Sequence, residues 1–257
     1  MKLQIMCLKL LVKMPFSAIH QPNFLPWMGY FAKIAAVDTF IFFDSVAMSN
    51  GKTWTSRSQI LAHGQPHWLT LPVKKSGRSG QRICEVELLD FAQNWRKILK
   101  TLRHTYGRAR HFDTVFSFLE TFENENFTFL ADFNCSFIEK TSRELGLKTQ
   151  FQRASSKPEL MQSEDLKTDY IIQTCQAFDI KNYVSGRGGS LLFLEKEKFE
   201  NEEISVDYQG FTPVVYPQLN TAEFISGLSI IDVLMNCGWA ETREMYNAID
   251  HRLDRLD

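Results

Sequence analysis

This chain has no excess of charge of either sign: its 257 residues hold 29 Lys and Arg against 30 Asp and Glu, a net charge of -1. Proteins that track a phosphate backbone carry a cationic face. The balance therefore argues against DNA or RNA as the main partner, while a nucleotide or nucleotide-sugar needs only two or three local cations. A long apolar run is also missing. The stretch 1–14 is broken by Lys2, Lys9 and Lys13, well short of the roughly 20 apolar residues of a membrane-spanning helix, and it lacks the small-residue cleavage site of a secretory signal. We read Met14 as the biological start and residues 1–13 as an extension; a short interfacial anchor is the alternative. Cysteine is sparse and scattered, at positions 7, 84, 135, 175 and 237 with no CxxC. That is the usage of reduced thiols in a cytoplasmic protein, with Cys135 and Cys175 as small core residues.

Several chemical signatures are absent as well. There is no HExxH, Cys cluster or EF-hand loop, so the sequence assigns no metal. His63 and His67 are four apart but bracket Gly64 and Pro66, and so share no regular helical face. No GxSxG elbow marks an acyl-enzyme nucleophile, and no Walker or GxGxxG loop marks a phosphate or dinucleotide site. No cofactor is named by any motif, and there is neither an internal repeat nor a low-complexity tract.

What is present is a chain 44% hydrophobic, long enough for one large core without disulfides or metal. The apolar run 16–19 ends in His20-Gln21-Pro22-Asn23, Pro26 suits the first turn of a helix, and Trp27, Tyr30, Phe31 and Ile34 recur at helical spacing. The near-continuous run Phe40–Phe43 has the pattern of a strand covered on both faces. Residues 16–44 therefore form a β–loop–α–β unit with parallel strands. Residues 45–65 read as a polar loop or irregular hairpin, and 67–73 and 83–89 as strands. Three apolar stripes follow: Trp95, Ile98, Leu99, Leu102 and Tyr106; Val115, Phe116, Leu119 and Phe122; Leu130, Phe133, Phe137 and Ile138. Strand character returns at 149–156 and 182–184, with helices at 166–178 and 227–236. The expected class is α/β, a mainly parallel sheet with flanking helices. The core comprises 14–90 and 149–257, and 91–147 is an inserted helical subdomain.

Two loops stand out. His20 ends the first strand, where open α/β sheets place their ligands, and its side chain titrates near neutral pH. Gln21, Asn23, Trp27 and Tyr30 would line the same loop and the helix start, whose free N–H groups suit an anion. The second loop is Ser185-Gly186-Arg187-Gly188-Gly189-Ser190. Its glycines allow a close approach of backbone to ligand, and Arg187 offers a planar fork for a carboxylate or phosphate. Lys52, Arg57, Lys74 and Lys75 could add a basic rim, and Tyr216 with Gln218 could close a pocket. Asp232, among apolar residues, needs a buried partner.

The order HQPNFLPWMGYF, VDTFIFFDSV, TWTSRSQI and WLTLPV, followed by YVSGRGGSLL, VVYPQL and GLSIIDVLMNCG, resembles the WbqC-like family from residue 18 to about 238. That family is named for a bacterial surface-polysaccharide (O-antigen) gene cluster. The resemblance implies a transferase of surface-glycan biosynthesis, acting by acyl- or aminoacyl-type transfer onto an amino sugar or sugar nucleotide. His20 would be the general base and Asp44 its orienting partner, with Ser56 and Arg57 lining the substrate. Where the family carries a second Asp and an Asn-Arg-rich stretch around 44–59, this chain has Asp44-Ser45 and Ser56-Arg57-Ser58, one carboxylate and one cation fewer. The strand, Pro-rich loop and helix start also look distantly like HIGH-type nucleotidyltransferases. Trp27 and Tyr30 stand where those enzymes have phosphate-binding histidines and supply no positive charge, so the likeness implies a shared topology and not identical nucleotidyl-transfer chemistry; a protein that binds ATP or CTP and activates a carboxylate or phosphate-bearing substrate is the second reading. A third is an accessory subunit docking through the Phe-rich insertion 91–147. Loops 20–27, 44–58 and 185–190 are expected on one sheet edge, with His20 and Asp44 within direct or one-water reach.

Overall fold

A computed structural model describes residues 15–49, 53–74, 77, 80–164, 167–188, 194–248 and 253–254. The reading of Met14 as the start, Lys52, Lys75, Gly189 and Ser190 lie outside the described residues. In chain order the elements are β1 (Phe16–His20), α1 (Met28–Ala35), β2 (Thr39–Phe42), β3 (Arg57–Ala62), β4 (Gln65–Thr70), α2 (Phe91–Tyr106), α3 (Phe112–Glu120), α4 (Leu130–Glu144) and β5 (Gln150–Arg153). They continue with α5 (Pro158–Gln162), α6 (Lys167–Ala177), β6 (Asn182–Ser185), α7 (Lys196–Asn201), β7 (Ser205–Gln209), α8 (Ile230–Ala248) and β8 (Leu253–Asp254).

The main sheet runs β5-β2-β1-β6-β7-β8. Its first five strands are parallel, and β8 pairs antiparallel with β7. Of the described elements, β1 lies in the middle of the sheet, and the chain builds outward from it through β2 and β5. It then returns to the other side of β1 to add β6 and β7. That reversal makes the gap between β1 and β6 a topological switch point, where the loops leaving two neighbouring strands diverge and open a crevice.

Both faces of the sheet are covered, which is why its strands read as apolar runs rather than alternations. Ala18, Phe40, Phe42 and Val184 face α1 and the helices α2, α3, α4 and α8, while Ile19, Ile41, Tyr183 and Val206 face α6 and α7. Every residue of the three apolar stripes in 91–147 is buried, and these side chains join the same cluster as the strand residues. The aromatic patch that would motivate a docking role is not seen. Phe91, Phe116, Phe122, Phe133 and Phe137 are buried, Phe112, Phe118 and Phe127 pack against the core, and of the nine Phe in 91–137 Phe129 alone is exposed.

Two local expectations are corrected. The segment 45–65 contains a regular strand, β3, which forms an antiparallel hairpin with β4 outside the main sheet. His63 and Gly64 form its turn, both at positive φ. The segment 83–89 alternates like a strand but folds as a short 3-10 turn, Ile83–Glu85, followed by isolated bridges from Glu87 and Leu88. Alternation records which side chains are buried, and a turn can bury every second one as well as a strand does. Among the described residues no helix is long and apolar enough to cross a membrane.

Candidate functional site at the switch point

The loop after β1 is locked in place from three directions. Phe24 donates its N–H to the Trp54 carbonyl of the loop before β3. Asn134, fully buried on α4, donates to the carbonyls of Pro22 and Thr55, both at 2.8 Å. The Leu25 carbonyl accepts from the hydroxyls of Ser58 and Ser229, and Ile230 N–H donates to Pro26. Leu25 itself sits at φ 40°, a left-handed conformation unusual for a branched residue that persists only where its surroundings enforce it. Asn134 is a site-supporting residue that the sequence signals weakly, as a polar residue inside an apolar helical stripe.

His20 is consequently fixed. Its Nδ1 lies 3.0 Å from the Gln21 carbonyl, which also accepts a hydrogen bond from Tyr30 Oη at 2.9 Å. The two rings meet edge to face at 4.8 Å. A carbonyl can only accept, so Nδ1 carries the proton and Nε2 carries the lone pair. Burial, aided by the charge of Lys33, lowers the His20 pKa to about 3; the imidazole is uncharged at neutral pH. Across the switch point, Ala18 pairs with Val184, which sets His20 beside the residues that leave β6, Ser185 and Gly186. Ser185 is buried and Gly186 half-buried, while Arg187 and Gly188 are exposed.

A further residue joins them. Lys33 on α1 is only 3% exposed, and burial lowers its pKa to about 7. A β-carbon built on Gly186 would stand 3.6 Å from Lys33 Nζ. The sequence hides this residue because a Lys inside an apolar helix reads as a break in the stripe. Gln209, at the end of β7, ties that strand to α1 by donating to the Gly29 carbonyl at 3.0 Å. Trp27 is 36% exposed. Its ring lies across Gly29, where a β-carbon would approach it to 2.4 Å, and meets Phe211 edge to face. Asn23, four residues before Trp27 in the same loop, is half-buried.

Other expected site residues have different partners. Asp44 is fully buried and accepts from Arg153 Nε at 2.7 Å, Ser155 N–H at 2.8 Å and Ser155 Oγ at 2.7 Å. Its expected pairing with His20 is replaced by a clamp on the ends of β2 and β5, because Arg153 is the register partner of Phe42. Arg57 lays its guanidinium 3.8 Å over the Trp68 ring of its own hairpin. Ser56 is buried, and its carbonyl accepts from Leu71. Tyr216 and Gln218 converge on Asp232, not on His20.

That Asp232 cluster is a second buried polar centre. Asp232 accepts from Tyr106 at 2.7 Å, Tyr216 at 2.8 Å and Gln218 at 3.2 Å, and Tyr106 Oη in turn accepts from Leu61 N–H. It thereby joins α2, α8, the hairpin and the segment 211–218. Burial raises the pKa of Asp232. Replacing Asp232 with Ala leaves three donors without their acceptor, so a loss of about 2–4 kcal/mol is expected in urea unfolding. A variant as stable as the parent would remove this cluster from the fold's support.

A surface hollow of about 440 Å³ lies near the opposite, amino edge of the sheet, lined by Asp38, Gly146, Lys148 and Tyr246 among others. Asp38 there accepts from Phe16 N–H, and the hollow gathers no set of reactive groups comparable to that around His20.

The model of the WbqC-like protein family matches residues 21–244. This chain belongs to the WbqC-like family. It is also 31% identical over 226 residues, 86% of this chain and 93% of the relative, to the "Uncharacterized protein Rv1507c" of Mycobacterium tuberculosis. No solved structure matches it. Family membership spans the β1 loop, α1, the β6 loop and most of α8, so the switch-point residues after His20 fall inside the family's own extent.

Proposed function

We propose that this WbqC-like protein is an enzyme of bacterial surface-glycan biosynthesis that transfers an acyl or aminoacyl group onto an amino sugar or sugar nucleotide, with His20 as the general base. The observation that carries this reading is the state of His20. Its Nδ1–H is held by the Gln21 carbonyl and its lone pair is on Nε2 at the switch point; burial and the charge of Lys33 make the imidazole a weak base, so its proton-bound form must be stabilised by an anionic group of the bound substrate. A positioned neutral imidazole takes a proton from an attacking amine or hydroxyl, typically for 10²–10⁴-fold in rate. Gly186, Arg187 and Gly188 hold the anionic portion of the substrate. Asn23, Trp27 and Tyr30 bound the acceptor side. Asp44 acts through the fold, by anchoring the end of β2.

Purified protein incubated with nucleotide-linked amino sugars and activated acyl donors should yield an acylated product by mass. His20→Ala should lower turnover by about 10²-fold or more with unchanged circular dichroism. Unchanged turnover in a folded His20→Ala protein would exclude His20 from the mechanism.

The strand order favours a second reading, a nucleotide-binding protein that activates a carboxylate or phosphate-bearing substrate, since doubly wound sheets bind nucleotides at this point. Nucleoside triphosphates at concentrations far above their dissociation constant should then raise the melting temperature. A flat response to ATP and CTP removes this reading.

A further inference from the structure

We infer that Lys33 is the receptor for an oxyanion, a carboxylate or phosphate group of the substrate, in the crevice between β1 and β6. The argument starts from the cost of the residue where it stands. Lys33 is 3% exposed and makes no hydrogen bond or ion pair with any described residue. Buried ammonium groups are otherwise paired, because desolvation of an unpaired charge costs several kcal/mol. An apolar side chain of similar length would pack the same helix face without that cost. A buried lysine whose ammonium has no partner among the described residues is suited to a partner that arrives from outside.

Geometry gives the direction. Helical side chains lean toward the N-terminus of their helix, so the stem of Lys33 runs along α1 toward the carboxyl edge of the sheet. Its Nζ ends 3.6 Å from the position of a Gly186 β-carbon, at the first residue beyond β6. Because residue 186 is glycine, no side chain of its own fills the space next to the amine. His20, whose pKa responds to the charge of Lys33, lies on the other flank of the same crevice and carries no charge to compete for the anion. The first turn of α1 holds no acidic residue and no side-chain cap, so its N–H groups add positive potential at the same edge.

This deepens the reading of the switch point as the substrate site and assigns the charge-bearing end of the substrate to Lys33. The test is calorimetric titration of the intact protein with inorganic phosphate, pyrophosphate and acetate, so that phosphate and carboxylate chemistry are separated. The wild type should bind one class, and Lys33→Met should bind it at least tenfold more weakly while melting several degrees higher in the absence of ligand. Gly186→Ala supplies the second variant: its methyl group meets Nζ at ordinary contact distance, so the protein should fold normally and bind the same anion more weakly. Equal affinity in wild type and Lys33→Met, or no anion binding by the wild type, overturns the assignment. Either result leaves the role of His20 to its own turnover assay.

Discussion

Asp44→Ala should lose about 3–5 kcal/mol of folding stability, the range found when one partner of a buried ion pair is removed. The carboxylate is completely buried and receives three hydrogen bonds from Arg153 and Ser155. Alanine would leave the Ser155 N–H and hydroxyl without their acceptor and Arg153 without its innermost partner. Arg153 also donates to Asp132 at 2.6 Å and is one-third exposed, so part of its charge remains compensated, and the lower half of the range is the better expectation. Asp44→Asn keeps an acceptor for the Ser155 N–H but sets an NH₂ donor against the Arg153 N–H donor, so it too should be destabilised. Chemical denaturation of the three proteins reads the difference directly. If Asp44→Ala unfolded at the parental midpoint, the clamp between β2 and β5 would have no energetic role. If it kept full stability but lost all turnover, Asp44 would belong to the chemistry instead.

The second large effect is on pH dependence. Burial lowers both bases, His20 from 6.5 to about 3 and Lys33 from 10.5 to about 7. In each case the unfolded chain binds the proton more tightly, so stability rises with pH wherever the unfolded state is protonated and the folded state is not. The windows follow from the values: about pH 3 to 6.5 for His20, and about pH 7 to 10.5 for Lys33. Within each window the penalty grows as pH falls, and it is complete below the folded pKa. At about 1.4 kcal/mol per tenfold change in proton affinity, neither can exceed about 5 kcal/mol. Urea midpoints measured between pH 4 and 9.5 should climb with pH in the wild type. His20→Gln should flatten the acid portion and Lys33→Met the alkaline portion. The upper limit avoids the buried Tyr30, Tyr106 and Tyr246, whose raised pKa values act with the opposite sign above pH 10. Comparing each variant with the wild type also removes the opposing contribution of Asp232 in acid. Parallel profiles for all three proteins would mean that neither base is desolvated in the folded state.

The sequence by itself determined the class of fold and the position of the first loop. The short, largely apolar segments 16–19, 40–43 and 182–184, bounded by turn residues, have the length and pattern of covered strands. The three helical stripes of 91–147 fix which faces are buried, since periodicity is a local property that packing reads directly. His20 was legible because it ends such a run. The hairpin β3–β4 was obscured by polar residues that its turn and its hydrogen bonds to the β1 loop require. Partnerships were not legible at all. Asp44 follows its strand at a position suited to a catalytic carboxylate, yet the parallel pairing of β2 with β5 brings Arg153 to it from 109 residues away. Tyr216 and Gln218 were drawn to Asp232 by the packing of α8 against the hairpin. Lys33 was invisible for the same reason: a lysine in a sequence carries no sign of whether its ammonium meets water, a carboxylate or neither. Charge pairing and desolvation depend on distances across the fold, and only the tertiary structure decides which elements lie within a few ångströms of one another.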